Sequence, residues 1–287
     1  EEALEKEELP KVVPLLPIKN TVLFPGVVIP ITVARDKSIQ LIKDANKSKN
    51  PIGVVAQKDK KVEDPSINDL YEMGTVAQIL RVLKMPDGST TIIIQGKKRF
   101  KIDDLISNLP YLKVKISSIF ENNKEKKESE FKLTVESIKE TAVKIINENP
   151  NIPSEASFAI KNIQSDSFLI NFVSSNMNLS VNDKQKILSS KNISKRALLC
   201  LKYINLEYQK LELKNDIQSR VRNDLDQQQR EYYLHQQMKT IQEELGGHTQ
   251  EEEIEELRKR ASKKLWSEKV QDTFEKEISK LQRMNPQ

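Results

Sequence analysis

Cys200, His235 and His248 are the only cysteine and histidine side chains in the chain, so any thiol or imidazole chemistry must come from them. A cysteine nucleophile needs a neighbouring base or cation to hold it as thiolate. Cys200 instead sits between Leu199 and Leu201, His235 lies in a long polar segment, and His248 follows Gly246-Gly247. The expectation is a buried, apolar-like cysteine and two surface histidines. Three such residues are too few for a Cys/His zinc site, and one cysteine forms no intrachain disulfide. A phosphate-cradling loop needs two glycines five positions apart, followed by Lys and Ser or Thr. The glycines at 26, 53, 74, 88, 96, 246 and 247 are not so spaced, and Gly96-Lys97-Lys98 lacks the upstream glycine and the hydroxyl. Carboxylates are frequent because acids cover helix surfaces. No catalytic, cofactor-binding or metal-binding residue is expected.

What remains is binding. Capture of many different polypeptides calls for exposed apolar surface, for which flexible Met and aromatic side chains are suited. Met85-Pro86 at a turn and Phe24-Pro25 before Gly26 are the candidates in the first half of the chain. Phe24, following Val22-Leu23, reads first as a plug packed inward, and Met85 equally as a solvated turn residue. Lys97-Lys98-Arg99 would suit nucleic acid, but the strands around it lack the interleaved aromatics of a single-strand platform.

These residues must be positioned by elements that the pattern of apolar residues outlines. From Val12 to about Ile116, β-branched runs recur at Val27–Ile31, Ile52–Ala56, Thr75–Leu83, Thr90–Ile94 and Tyr111–Ile116. In the last, Leu112, Val114 and Ile116 alternate with Lys113 and Lys115, the period of a half-buried strand. Met85-Pro86-Asp87-Gly88-Ser89 predicts a hairpin, since Asp-Gly tolerates positive φ. Arg35 to Asn46 predicts one helix laid over the sheet. Glu121 to Glu130 is a charged linker. Beyond it, Val135, Ile138, Ala142 and Ile145 form a helical stripe closed by Pro150 and Pro153, and Phe168, Leu169, Phe172, Val173 and Met177 form another, opened by Ser165 and Asp166. Ser194 to Leu245 contains neither Gly nor Pro and would span roughly 78 Å as one helix at about 1.5 Å per residue. Leu234, Met238, Ile241 and Leu245 make a seam near its end. Tyr232, Tyr233, Leu234, Met238 and Ile241 therefore either face a neighbouring subunit or a passing substrate, or pack on two closing helices around Leu257 and Phe274.

With 287 residues, of which 37% are hydrophobic and 31% charged, about two domains are expected, with much surface. Lys and Arg number 47 against 42 Asp and Glu; the net charge of +5 is spread through the chain and permits nucleic acid without demanding it. One cysteine suits a reducing compartment, and no secretory signal or apolar run of membrane-spanning length is visible, so a soluble intracellular protein is expected.

Leu16-Pro17-Ile18-Lys19-Asn20-Thr21-Val22-Leu23-Phe24-Pro25-Gly26, Val54-Val55-Ala56-Gln57-Lys58, Met73-Gly74-Thr75-Val76-Ala77, Pro86-Asp87-Gly88 and Gly96-Lys97-Lys98-Arg99-Phe100 resemble, in order, the N-terminal region of Lon-type ATP-dependent proteases. Gln229-Arg230-Glu231-Tyr232-Tyr233-Leu234, with Gln237-Met238-Lys239, Ile241-Gln242 and Glu244-Leu245-Gly246, extends the resemblance into the long helix. His235-Gln236 departs from the family's usual pair, and residues 121–194 carry no recognised motif. The resemblance implies an α+β chain: a PUA-like β domain over 1–120, a helical bundle over 121–193, an arm helix over 194–246 and two short helices over 247–287. It also implies an AAA+ ATPase module and a Ser-Lys peptidase beyond this chain, so that ATP and Mg belong to the longer protein. The partners implied are unfolded or damaged polypeptides and further copies in a homohexamer, without a membrane, in the bacterial cytoplasm or else the mitochondrial matrix. A stand-alone PUA-like module that binds RNA is the alternative.

Overall fold

The computed structural model describes residues 9–85, 89–119, 128–244 and 250–282. Six strands come first: β1 Val12–Ile18, β2 Val28–Val33, β3 Ile52–Ala56, β4 Met73–Lys84, β5 Thr90–Ser107 and β6 Lys113–Ser118, with helix α1 Asp36–Ser48 between β2 and β3. They pair in the order β2-β5-β4-β3-β1-β6, and a further pairing of β5 with β6 closes five of them into a barrel. Only β1 and β3 run parallel, and α1 lies in the crossover between them. Closure removes free edges from the five. β2 remains an edge strand on the first half of β5, and it carries Pro30, which an edge tolerates because it cannot donate to a further ladder.

The hairpin expected around Met85 is present, with Lys84 opposite Thr90 and the Met85 N–H donating to Ser89 O at 2.9 Å. Pro86, Asp87 and Gly88 lie outside the described residues. Two elements are longer or less obvious than the pattern predicts. β1 contains Pro14 and Pro17, which break the usual strand signature, yet its Leu15–Ile18 half pairs with β3 and its Val12–Pro14 half with β6. β5 runs well past Ile94 through Lys97, Lys98 and Arg99, because its second half is needed to reach β6.

The helices follow as α2 Glu128–Glu148, α3 Ala156–Asn162, α4 Asp166–Asn176, α5 Val181–Ser189, α6 Ile193–Glu244, α7 Gln250–Ala261 and α8 Glu268–Leu281. The α+β expectation therefore holds, long helix included. Ser165 caps α4 by accepting from the Phe168 N–H, Ser180 caps α5 by accepting from Asp183 N–H, and Asn192 Oδ1 accepts from the N–H groups of Ser194 and Lys195 at the start of α6.

The compact units are residues up to Leu213 and residues from Lys214 onward, a division that falls inside α6 and not at the change of period near 121. The physical reason is a shared core. Val22, Phe24, Val27 and Ala56 from the barrel pack in one cluster with Phe131, Ile138, Ile170, Ile187, Cys200 and Ile204 from the helices. Burying a side chain such as Phe24 contributes roughly 2–3 kcal/mol. Gly26, at φ +78°, lets Phe168 come so close that a Cβ there would stand 2.7 Å from the ring. Polar locks surround this cluster: Asn171 Nδ2 donates to Pro25 O at 3.2 Å, and Gln185 Nε2 to Met73 O at 2.8 Å. Arg99 Nη1 donates to Leu188 O at 2.8 Å and to Ser190 O at 2.6 Å, so a barrel cation closes the C-terminal end of α5.

In the second unit, Ile254 of α7 and Ile278 of α8 are buried, Arg258 meets Glu275 at 3.4 Å, and Trp266 stands edge-on to Phe274 at 5.2 Å between ring centroids.

Replacing Arg99 with Met should lower the unfolding free energy by about 2–4 kcal/mol, because two buried carbonyls lose a charged donor. Urea denaturation showing an unchanged midpoint would mean that the lock contributes nothing. Asp183 offers a pH test. Hydrogen bonds from Ser180, Lys186 and Tyr203, in that order of weight, hold its carboxyl down to about 2. A depressed folded-state value stabilises the protein above the unfolded carboxylate's pKa of about 3.9, and that contribution is lost as pH falls through the folded value. Asp183→Asn should therefore lower the melting temperature at neutral pH, with the gap to the parent closing between about pH 4 and pH 2; a gap still open at pH 2 would contradict the assignment.

Candidate functional site

Strand register decides which side chains of the barrel face outward. Ile92 and Ile94 of β5 are buried, so Thr91, Ile93 and Gln95 point the other way. Across the ladder, Val28 lies opposite Gln95 and Pro30 opposite Ile93 on β2, while Leu83 lies opposite Thr91 on β4. A bulge between Ile79 and Arg81 places Leu80 and Arg81 together opposite Ile93. Bulges re-aim side chains in this way, and here the result is one more leucine on the outer face. Val28, Leu80, Leu83 and Met85 are between 42% and 49% exposed. With Pro30 and Ile93 they form an apolar patch rimmed by Gln78, Arg81, Lys84 and Thr32, the composition of an interaction surface.

The candidates named from sequence fare differently against this geometry. Met85 is exposed at the end of the patch. Pro86 lies outside the described residues. Phe24 must be corrected: it is wholly buried in the core shared by barrel and helices, because the chain turns at Pro25-Gly26 and drives the ring inward, and it offers no surface to a ligand. Pro25 is half-buried, with its carbonyl taken by Asn171. Val28, Leu80 and Leu83 were missed. Their signal was present in the alternation of β2 and β4, but only the pairing of those strands on β5 shows that they share a face.

On α6, Tyr232, Tyr233, Leu234, Met238 and Ile241 are between 52% and 67% exposed, so they are not packed on α7 and α8. Those two helices bury Ile254 and Ile278 instead. Ile217, Val221 and Leu225 are further exposed apolar residues on the same helix.

Residues with chemical potential are occupied structurally. Cys200 is fully buried, and burial pushes its thiol up to about 12, the direction opposite to activation. His235 is exposed on α6, and His248 lies outside the described residues. Arg99, the third residue of the basic run, is buried on Leu188 and Ser190 carbonyls and is not available to nucleic acid. A cavity of about 230 Å³ beside α1 includes Arg35 and Lys37, but Arg35 donates to Gln57 Oε1 at 2.7 Å and Lys37 is paired with Asp64 at 2.6 Å. Among the described residues no group of three or more His, Cys, Asp or Glu could hold a metal ion, and no helix is long and apolar enough to cross a membrane.

The barrel thus presents an apolar outer sheet face, and among the described residues the cysteine is buried. The family profile for the ATP-dependent protease La (LON) substrate-binding domain matches residues 12–206, more than half of the chain. The chain belongs to this family. The match runs through 121–194, where no motif was recognised from sequence. The Lon protease of Flavobacterium johnsoniae is 62% identical over 287 residues, and that of Cytophaga hutchinsonii 48% identical over 286; each alignment takes in 100% of this chain and 35% of the relative. The chain thus spans about a third of the length of the curated relatives it matches. The solved N-terminal domain of Mycobacterium avium complex Lon protease shares the fold, with a TM-score of 0.57 at 21% identity over 68% of this chain and 98% of that one.

Proposed function

We propose that this Lon substrate-binding chain recognises unfolded or damaged polypeptide on the outer face of β2, β5 and β4 and performs no chemistry itself. The observation that carries the reading is the solvent-facing apolar patch of Val28, Leu80, Leu83 and Met85, which strand register gathers on one face of β2, β5 and β4. Unfolded chains expose apolar side chains without fixed order, and a flat patch with a flexible methionine accepts many of them. Capture then precedes ATP hydrolysis and peptide-bond cleavage, for which ATP, Mg and a Ser-Lys dyad act elsewhere in a longer protein. In this reading the setting is the bacterial cytoplasm. The exposed apolar residues of α6 serve association between copies, in a hexamer of the longer protein, or guide substrate onward.

Fluorescence anisotropy of a labelled, permanently unfolded polypeptide tests the first part. The parent chain should prefer it to the same protein folded and to a short RNA. Leu83→Asp with Met85→Asp should weaken binding at least 10-fold while leaving the melting temperature alone, since both side chains are half exposed already; equal affinity would remove the sheet face from the reading. Preferred RNA binding with a steep loss in salt would replace it with the nucleic-acid alternative. For the arm, Leu234→Asp with Met238→Asp should lower the mass seen by sedimentation with helicity unchanged. Self-association that persists would leave only a guiding role for α6.

A further inference from the structure

A second apolar site lies among the helices of the first unit, away from the sheet face. It is a half-open cleft of about 320 Å³ whose walls come from α2, α3, α4 and α6 and from Ile152 ahead of α3. Ile145, Ile152, Phe172 and Met177 supply its apolar lining, and Ala156 and Ala159 keep its mouth wide. Ala159 and Asn176 are exposed, so the cleft opens to solvent, while Met177 and Ile204 at its back are buried in the core. Concave, mainly apolar sites with one or two placed polar groups are the form that ligand pockets take.

The polar groups define the occupant. Glu207 is the one ionisable side chain in the lining; its carboxylate accepts the Asn178 N–H at 3.3 and 3.2 Å and lies near Lys184, whose ammonium donates to Ser175 O. One helical position further on, Tyr208 donates to Glu148 Oε1 at 2.9 Å, and the carboxylates of Glu148 and Glu212 help to raise its hydroxyl to about 12. An apolar cleft therefore borders a run of carboxylates. With the Lys184 ammonium beside Glu207 set against Glu207, Glu148 and Glu212, negative charge is in excess, which disfavours anions and attracts a cation next to an apolar group.

We propose that the cleft is a polypeptide subsite that takes one large apolar side chain, phenylalanine or leucine, from an extended segment in which lysine or arginine is the neighbour. The proposal rests on the reading of this chain as a receptor for non-native polypeptide and adds a sequence preference to it. The sheet patch, whose described residues carry no carboxylate, collects apolar segments generally; the cleft selects those with a basic neighbour.

The test uses the 287-residue chain and labelled ten-residue peptides centred on Phe-Arg, Phe-Glu or Ser-Arg, read by anisotropy. Phe-Arg should bind at least 10-fold more tightly than either of the others. Ala159→Trp, which fills the mouth from an exposed position, should weaken Phe-Arg at least 10-fold without lowering the melting temperature, and Ala159→Ser should leave it near the parent value. Glu207→Gln should shrink the advantage of Phe-Arg over Phe-Glu by at least threefold. Unchanged Phe-Arg affinity in Ala159→Trp, or displacement of the peptide by laurate at lower concentration than by unlabelled peptide, would overturn the proposal. Retention of the permanently unfolded polypeptide by Ala159→Trp alongside loss of Phe-Arg supports the cleft as one subsite of two. Failure of the parent to bind any unfolded polypeptide would remove the receptor reading and the cleft with it.

Discussion

A helix that ends inside a protein leaves carbonyl groups that must find donors, and the closing end of α5 finds them on Arg99 of the barrel. A guanidinium is held at that depth only where its N–H groups are satisfied, so the strand and the helix must meet in one orientation. Gln185 and Asn171 fix the same meeting from the helical side through Met73 and Pro25 carbonyls, and Phe168 fills the space above Gly26. Arg196, 1% exposed, donates to Ser167 within the helices. These directional contacts surround the apolar cluster that holds Phe24 and make barrel and bundle one unit.

Rigid docking of this kind determines what surface is left over. The barrel spends one face on the helices and its interior on a core that includes Val13, Leu15, Val76, Phe100 and Val114, while Leu41, Ile42 and Ala45 of α1 cover another part of the sheet. The outer side of β2, β5 and β4 is left open, as are the side chains of Val12, Leu105, Ile106 and Leu109. Within the bundle, small residues at 156 and 159 leave a cleft where larger ones would have completed the packing. On α6 beyond Leu213, the apolar residues are spaced around a helix whose neighbours bury other side chains. The first surface lies on a sheet and is rimmed by polar groups, the second is concave and borders carboxylates, and the third is spread around a single helix. They differ in the partners they suit for reasons of shape and charge alone.

Much of the fold could be read from residue order. The long helix needed only the absence of Gly and Pro over its length, and its observed limits, Ile193–Glu244, are close to that stretch. β3 is bounded as its run of β-branched residues indicates, and Ser165 caps α4 as its position before an apolar stripe suggests. β1 was not legible because Pro14 and Pro17 interrupt the usual pattern; it is a strand because β3 and β6 supply partners on its two sides. The second half of β5 was hidden by Lys97, Lys98 and Arg99, whose charges read as loop or patch until barrel closure demands strand there.

For the functional surface, residue order determined the family, the absence of a P-loop and of a thiol-imidazole pair, and the placing of exposed apolar residues near Met85 and along α6. These are local properties: spacing, side-chain type, and the lack of a breaker. Which face each apolar residue takes was decided by tertiary structure. Phe24 and Met85 are both large apolar residues beside a Pro-containing turn, yet one is buried and the other exposed, because a helical layer covers the first turn and the second projects past the end of a strand pair. The alliance of Val28 with Leu80 and Leu83, from strands some fifty residues apart, exists only through their common neighbour β5. Side-chain type is written in the chain; its exposure depends on what distant segments pack against it.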